Sequence, residues 1–281
     1  MRAISLTLMA KQYVNTAGYR FVDLPDRDAL RQPFKDVCQE LGLLGTILLS
    51  TEGINFFLSG SQEAVDGFTE YIEKDERFAG MAQKVSYSAD CAFRKMNVRL
   101  KKEIISMGVE EVKPAEFTGE NITPNEFKKW LDEGKDITIL DTRNDYEIRL
   151  GTFEDAVDFD IQSFRAFPQA VKDCNLDKEK PVVMFCTGGV RCEKASVVML
   201  EEGFKDVRQL EGGILGYFEH AGGDYWDGEC FVFDRRVAVD TQLNETKTEV
   251  CFACREPLTV GEQENEDYVL GISCSYCITQ S

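Results

Sequence analysis

Along residues 26–41 the apolar positions Leu30, Phe34, Val37, Cys38 and Leu41 recur at intervals of three and four, which puts them on one face of a helix that Gly42 can stop. LLGTILLS (43–50) and INFFLSG (54–60) then read as two strands around TEG. Residues 61–78 return to helical spacing, with Ser61 as N-cap and Val65, Phe68 and Ile72 turned inward. A strand at QKVSYSA (83–89) and another in the loose alternation of residues 4–14 complete the order βαββαβ. That order predicts an N-terminal ferredoxin-like (acylphosphatase-like) α+β domain.

The next segment, FRKMNVRLKKE (93–103), has five basic residues among the nine from Arg94 to Lys102. As a strand it turns Lys95, Asn97, Arg99 and Lys101 to one face and Met96, Val98 and Leu100 to the other. A cationic outer face suits a phosphate backbone, with Arg94, Lys95, Arg99, Lys101 and Lys102 as candidate RNA contacts. The same pattern suits a solvated edge strand whose lysines block aggregation. Residues 108–121 lack periodicity and read as a linker. Beyond them Thr123 caps a helix, with Pro124 at its first position and Glu126 completing a capping box. ITILDTRN (137–144) and PVVMF (181–185) are buried strands, and KASVVMLEEGF (194–204) is a helix. Strands alternating with helices predict a central α/β domain with a parallel sheet, whose ligands bind at the carboxyl ends of the strands. The tail from residue 224 is acidic and cysteine-containing. The expected division is 1–112, 113–223 and 224–281.

Charge refines this picture. The chain of 281 residues carries a formal net charge of −18, which taken whole argues against nucleic acid. Residues 1–112, however, hold 14 Lys/Arg and 16 Asp/Glu, a net of −2, leaving 18 and 34, a net of −16, to residues 113–281. A polyanion is therefore expected to dock on the first part. No apolar run reaches the roughly 18 residues needed to span a bilayer. The start lacks a small-residue cleavage site, so a cytoplasmic location with no membrane association is expected. In a reducing compartment the ten cysteines serve as ligands or nucleophiles rather than disulfides.

Two cysteine patterns carry chemistry. In MFCTGGVRCEKAS (184–196), Thr187, Gly188, Gly189 and Val190 separate Cys186 from Arg191 at the mouth of a helix. The glycines let backbone N–H groups turn inward as an anion nest, and the helix end and Arg191 add positive charge at the rim. This environment favours Cys186 as a thiolate, or as a persulfide anion once sulfur is loaded on it. Cysteine phosphatases resemble C-x5-R; the four-residue spacer here matches rhodanese-type sulfurtransferases instead. Cys192, in the first helical turn, is read as packing in preference to a resolving thiol. The second pattern is Cys251-x2-Cys254 and Cys274-x2-Cys277, a spacing suited to a structural four-cysteine zinc site in a zinc-ribbon-like module, with a redox dithiol pair as the alternative. The one histidine, His220, reads as a surface residue.

Taken with TEGIN (51–55), FRKMNVRLKKEIISMGVE (93–110), DTRNDYEIRLGTF (141–153), GGILGYFE (212–219) and WDGECFVFDRRVAV (226–239), these patterns resemble the bacterial tRNA uridine-34 hydroxylases over nearly the whole chain. The resemblance implies a rhodanese central domain with Asp141 and Arg143 as its DxR pair. It also implies an oxidoreductase that makes 5-hydroxyuridine at the wobble position of tRNA with molecular oxygen, using a cysteine at the place of Cys186 that is usually described as a persulfide intermediate. No flavin or nicotinamide fingerprint is seen. DNA is not an expected partner. Two departures stand out. Phe56 replaces the glycine of EGING, which predicts a different turn after Asn55, and the chain runs four residues past Cys277 where many members carry a charged helical tail. The competing readings are a plain sulfurtransferase carrying sulfane sulfur on Cys186, and a non-catalytic adaptor for RNA or protein.

Overall fold

The computed structural model describes residues 12–278. Its first part contains β1 (Tyr13–Phe21), α1 (Arg27–Glu40), β2 (Leu44–Ser50), β3 (Gly53–Gly60), α2 (Gln62–Ile72), β4 (Gln83–Ser88) and β5 (Met96–Leu100). They form one sheet in the order β4-β1-β3-β2-β5. β1 pairs antiparallel with β3 and β4, β2 pairs antiparallel with β3, and β5 adds parallel to β2. The first four strands have the ferredoxin-like arrangement, and the basic strand extends it at the edge. Phe34, Phe56, Phe68 and Phe78 fill the core.

Three expectations change here. The first strand is Tyr13–Phe21, while residues 4–11 of the expected strand lie outside the described residues. Its pattern is hard to read because β1 is a central strand covered on both faces, so polar Asn15 and Thr16 are buried beside Val14. The second helix ends at Ile72, and turns carry the chain on so that Phe78 still reaches the core. No turn follows Asn55: β3 continues through Phe56, which stands opposite Gly18 of β1. A Cβ at Gly18 would lie 2.7 Å from the Phe56 ring, so the glycine opposite makes room for the phenylalanine.

The second part contains β6 (Glu120–Ile122), α3 (Pro124–Asp132), β7 (Thr138–Asp141), α4 (Asp145–Ile148), β8 (Gly151–Phe153), α5 (Phe167–Asp173), β9 (Val182–Phe185), α6 (Val190–Glu201), β10 (Val207–Leu210) and α7 (Gly213–Ala221). Its four-stranded sheet has the order β6-β10-β9-β7, all parallel. The stretch expected as a linker is packed chain: its Val112, with Met107 just before it, joins Leu140, Met184 and Val198 in one core. α6 is buried on nearly every side, from Arg191 through Met199.

After β11 (Trp226–Gly228) come two short hairpins, β12 (Cys230–Phe231) with β13 (Ala238–Val239) and β14 (Glu249–Val250) with β15 (Pro257–Leu258), then α8 (Val260–Gln263). β11 pairs antiparallel with β8, and Trp226, Cys230 and Val239 enter the core beneath the parallel sheet. Arg236 reaches back to Ser86 Oγ of β4 at 2.8 Å. Among the described residues no helix is long and apolar enough to cross a membrane.

Candidate active site and four-cysteine cluster

Three parallel strands deliver the site at their carboxyl ends. β7 ends at Asp141 and is followed by Thr142 and Arg143; Cys186 directly follows β9; β10 leads to Gly212 and Gly213. Thr142 is tied to the end of β9, its N–H and Oγ1 both donating to the Phe185 carbonyl at 3.0 and 2.9 Å. On the other side the Ile214 N–H donates to the Cys186 carbonyl at 3.0 Å. Gly213 has a positive φ of 62°, and a Cβ there would sit 2.3 Å from that carbonyl oxygen, so glycine is required for the approach. Gly189, with φ 100°, turns its N–H onto Cys186 Sγ at 3.1 Å.

Cys186 is 1% exposed. Burial alone would raise its pKa. The Cys192 thiol donating to it, the Arg191 charge, and the N–H groups of Arg191 and Gly189 outweigh burial and bring Cys186 down to about 5. Cys192 moves the other way, pushed well above the ordinary thiol range by burial and by the sulfur beside it. At neutral pH the pair is thus one thiolate and one thiol.

Arg191 is not at the rim. Its guanidinium is buried and makes a two-pronged pair with Glu147 at 2.6 and 2.7 Å. Burial opposes ionisation of Glu147, but the charges of Arg191 and Arg143 hold its carboxyl below the usual range. Glu147 also accepts from the Asn144 N–H at 3.2 Å at the start of α4, and that Asn-x-x-Glu spacing is the one local hint of its position, though not of its pairing with Arg191. Thr187 Oγ1 also reaches Glu147, at 3.4 Å. Arg143 pairs with Asp141 at 2.6 Å with no side-chain exposure and donates to the Gly151 carbonyl, so the DxR pair supports the loop from below. Gly188 and Val190 complete the loop and are half-buried.

The N-terminal sheet lies over this loop. Tyr19 of β1 bonds Glu193 of α6 at 3.1 Å, and its hydroxyl is 2.9 Å from where a Cβ on Gly189 would be. Burial, then the negative charges of Glu193 and Cys186, hold the phenol strongly protonated. A cleft of about 360 Å³ opens between Tyr19, Arg20 and Lys84 on one side and Gly188, Gly189 and Gln209 on the other. Lys194 of α6 locks the junction, bonding Glu52 and Glu103 at 2.8 Å each while 1% exposed. Glu52 comes from TEGIN and Glu103 from the end of the basic segment. Asn55 Nδ2 donates to the Ile104 carbonyl at 3.3 Å and Glu52 accepts from the Ile104 N–H at 2.7 Å. Tyr19, Glu52, Glu103 and Lys194 were missed in sequence because each acts across more than 90 residues.

Arg94, Lys95, Arg99, Lys101 and Lys102 are all exposed, along and beside β5 at the sheet edge. Arg31 of α1 donates to the Val98 carbonyl at 3.2 Å, and Arg27 to that of Lys101, so two further cations border the strand. In the C-terminal tail the sulfurs of Cys251, Cys254, Cys274 and Cys277 lie within 4.8 Å of one another. Cys274 is 3.6 Å from Cys254 and 3.8 Å from Cys277, near the ~3.8 Å edge of a tetrahedron with metal–sulfur bonds of about 2.3 Å. The four cysteines can hold a metal ion. His220 is exposed.

Comparison with known proteins agrees with this geometry. The family model of the UPF0176 acylphosphatase-like domain matches residues 13–104, and that of the rhodanese-like domain matches 123–220. A tRNA uridine(34) hydroxylase of Cupriavidus necator is 48% identical over 95% of this chain and 97% of its own. The proteins of that name from Ralstonia nicotianae and Burkholderia vietnamiensis are 47% and 46% identical, over 95% and 94% of this chain and 96% of each relative. At that identity, over that length, the chain belongs to the tRNA uridine(34) hydroxylase family.

Proposed function

We propose that this protein hydroxylates the wobble uridine of tRNA to 5-hydroxyuridine, with Cys186 as the reacting group and molecular oxygen as co-substrate. The carrying observation is that the N-terminal sheet covers the Cys186 loop and leaves a cleft between the two domains, through which an acceptor would approach the loop. Tyr19 and Lys84 offer an aromatic face and a cation beside the loop, groups that suit a nucleobase and a phosphate. A wobble base is already in a single-stranded loop, so drawing it into the cleft costs little. The nest at Cys186 suits a thiolate and equally a persulfide anion.

Residues 1–112 are read as the tRNA-binding part, with contacts from Arg94, Lys95, Arg99, Lys101 and Lys102. Cys251, Cys254, Cys274 and Cys277 are read as ligands of one zinc ion, which would tie the tail together and, with four protein ligands, leave no open position for chemistry. The protein would act in the cytoplasm, where tRNA and reduced thiols coexist. Nucleoside mass spectrometry of tRNA from cells with and without the protein tests the proposal: loss of 5-hydroxyuridine on deletion is expected. Unchanged 5-hydroxyuridine, together with thiosulfate:cyanide turnover indifferent to tRNA, would favour a sulfurtransferase.

A further inference from the structure

Gln209 lies near the end of β10, beside the loop. Its Nε2 is within hydrogen-bond distance of three acceptors: the Gly119 carbonyl at 2.8 Å, Thr118 Oγ1 at 3.0 Å and a Glu193 carboxylate oxygen at 3.3 Å. A carbonyl and a carboxylate can only accept, so the amide cannot be turned round. Oε1 is the opposite end, and it has no hydrogen-bond partner among the described residues although Gln209 is only 2% exposed. The open space beside it is the cleft, which Gln209 lines together with Tyr19, Gly188 and Gly189. In the parallel sheet Gln209 stands opposite Met184 of β9, and Cys186 follows Met184 two residues on. Side chains two apart share a face, so Gln209 and Cys186 both lie on the α6 side of the sheet. Their Cα atoms are about 8 Å apart, from a strand spacing of about 4.8 Å and a rise of about 3.3 Å per residue. A hydrogen bond of about 2.9 Å at one end and a near-attack contact of about 3–3.5 Å at the other leave an interval that one pyrimidine ring fills.

We propose that Gln209 Oε1 accepts the N3–H of the wobble uracil and is the group that selects uridine over cytidine. The inference rests on the hydroxylase reading above and names the residue that recognises its base. Uracil carries a proton on N3. Cytosine carries a lone pair there, which would meet the lone pairs of Oε1, and an amide held at Nε2 by acceptors cannot flip to offer an N–H instead. A site built around a hydrogen bond rejects the analogue that cannot make it, because a buried acceptor is then left unpaired. The same contact orients the ring. C6 lies directly across the ring from N3, with C5 beside it, so a uracil held at N3 turns its C5–C6 edge away from Gln209 and toward Cys186. Glu193 ties the recognition groups together: one carboxylate oxygen accepts from the Tyr19 hydroxyl at 3.1 Å and the other from Gln209. With both oxygens of Glu193 engaged, Gln209 Oε1 is the acceptor still open. Holding Gly119 against α6 uses Nε2 alone and does not need Oε1.

The test uses the full-length protein and anticodon stem-loops that differ only at position 34, which is uridine, cytidine or 3-methyluridine. Fluorescence anisotropy gives the dissociation constants, and nucleoside mass spectrometry of parallel reactions gives 5-hydroxyuridine. The wild type is expected to bind the uridine stem-loop about ten- to a hundredfold more tightly than either analogue. In Gln209→Met, checked for folding by circular dichroism, binding of uridine falls to the level of cytidine and the ratio closes to within about twofold. In Gln209→Glu, whose carboxyl keeps an oxygen where Oε1 was, the preference for uridine returns. A glutamine with a structural role only would weaken all the stem-loops alike and leave their ratio unchanged. A methionine variant that keeps the wild-type ratio therefore overturns the inference and leaves the hydroxylase intact. A wild type that binds the three stem-loops equally overturns it as well, and that comparison decides the question even if the variants fail to fold. A preference for uridine that Gln209→Met abolishes, with no 5-hydroxyuridine from any stem-loop, would uphold the base contact and overturn the hydroxylase reading itself.

Discussion

Replacing Lys194 with methionine tests the junction that seats the N-terminal sheet on the loop helix. Methionine keeps an unbranched stem and removes the charge. Because Nζ is 2.8 Å from Glu52 and 2.8 Å from Glu103, those carboxylate oxygens are at most 5.6 Å apart (2 × 2.8). Without the ammonium between them they repel by about 3 kcal/mol at an effective dielectric of about 20, and by about 0.7 kcal/mol in water. Their side chains keep 21% and 17% of their surface, so solvent screens part of this. The expected loss is about 2 kcal/mol, or about 4–8 °C in melting temperature for a chain of this size. Adding Glu103→Gln removes one of the repelling charges and should recover most of the loss. The pH dependence has a definite sign. Burial favours neutral Glu103, but Lys194 and the N–H groups of Met107 and Gly108 hold its carboxyl below the usual range. The stability this gives is present above the ordinary carboxylate pKa of about 4.3 and is lost as pH falls through the lowered folded value. The gap between wild type and variant is therefore full at pH 7 and closes below about pH 4. Thermal melts followed by near-ultraviolet circular dichroism at both pH values measure it. A variant that melts within about 1 °C of wild type at pH 7, or that Glu103→Gln does not rescue, would refute the reasoning.

Alkylation of Cys186 by a small electrophile should rise through about pH 5 and stay flat to pH 8; a rise centred near the ordinary thiol value of about 8.5 would mean the loop does not stabilise the thiolate. Elemental analysis should find about one zinc per chain, and chelation should expose the thiols of Cys251, Cys254, Cys274 and Cys277 while leaving the core around β9 folded. A metal-free protein with a disulfide among these four would support redox chemistry instead. Lys95, Arg99 and Lys101 changed together to alanine should flatten the log–log salt slope of tRNA binding by about 2, at roughly 0.7 per phosphate contact. Unaltered affinity and slope would return the strand to the role of edge protection.

The loop was legible because its information is local. A cysteine ending an apolar run, two glycines and a helix start fix the backbone within six residues, and the N–H bonds to Sγ follow. The paired Cys-x2-Cys knuckles are local in the same sense. Arg191 was legible as a residue and not as a buried ion pair, because its partner Glu147 lies on another element. Lys194 shows the limit most plainly. A lysine on an apparently one-sided helix reads as solvent-facing, and only the second domain, docked on that face, buries it between two glutamates. β1 was misplaced for a related reason: a strand covered on both faces loses the alternation by which strands are found, and with it went Tyr19. The stretch 108–121 looked like linker because chain that packs without regular structure has no period to detect, even with Val112 in the core.

The most direct measurement supplies the purified protein and a thiol reductant with unmodified tRNA under isotopically heavy oxygen gas, followed by nucleoside mass spectrometry of the anticodon fragment. The expected result is 5-hydroxyuridine at position 34 carrying one heavy oxygen atom with the wild type, and unmodified uridine with Cys186→Ser, whose fold the exchange of one sulfur for oxygen leaves intact. Equal product from Cys186→Ser would contradict the central claim that this sulfur does the chemistry, and product carrying oxygen from water would contradict the assignment of molecular oxygen as co-substrate.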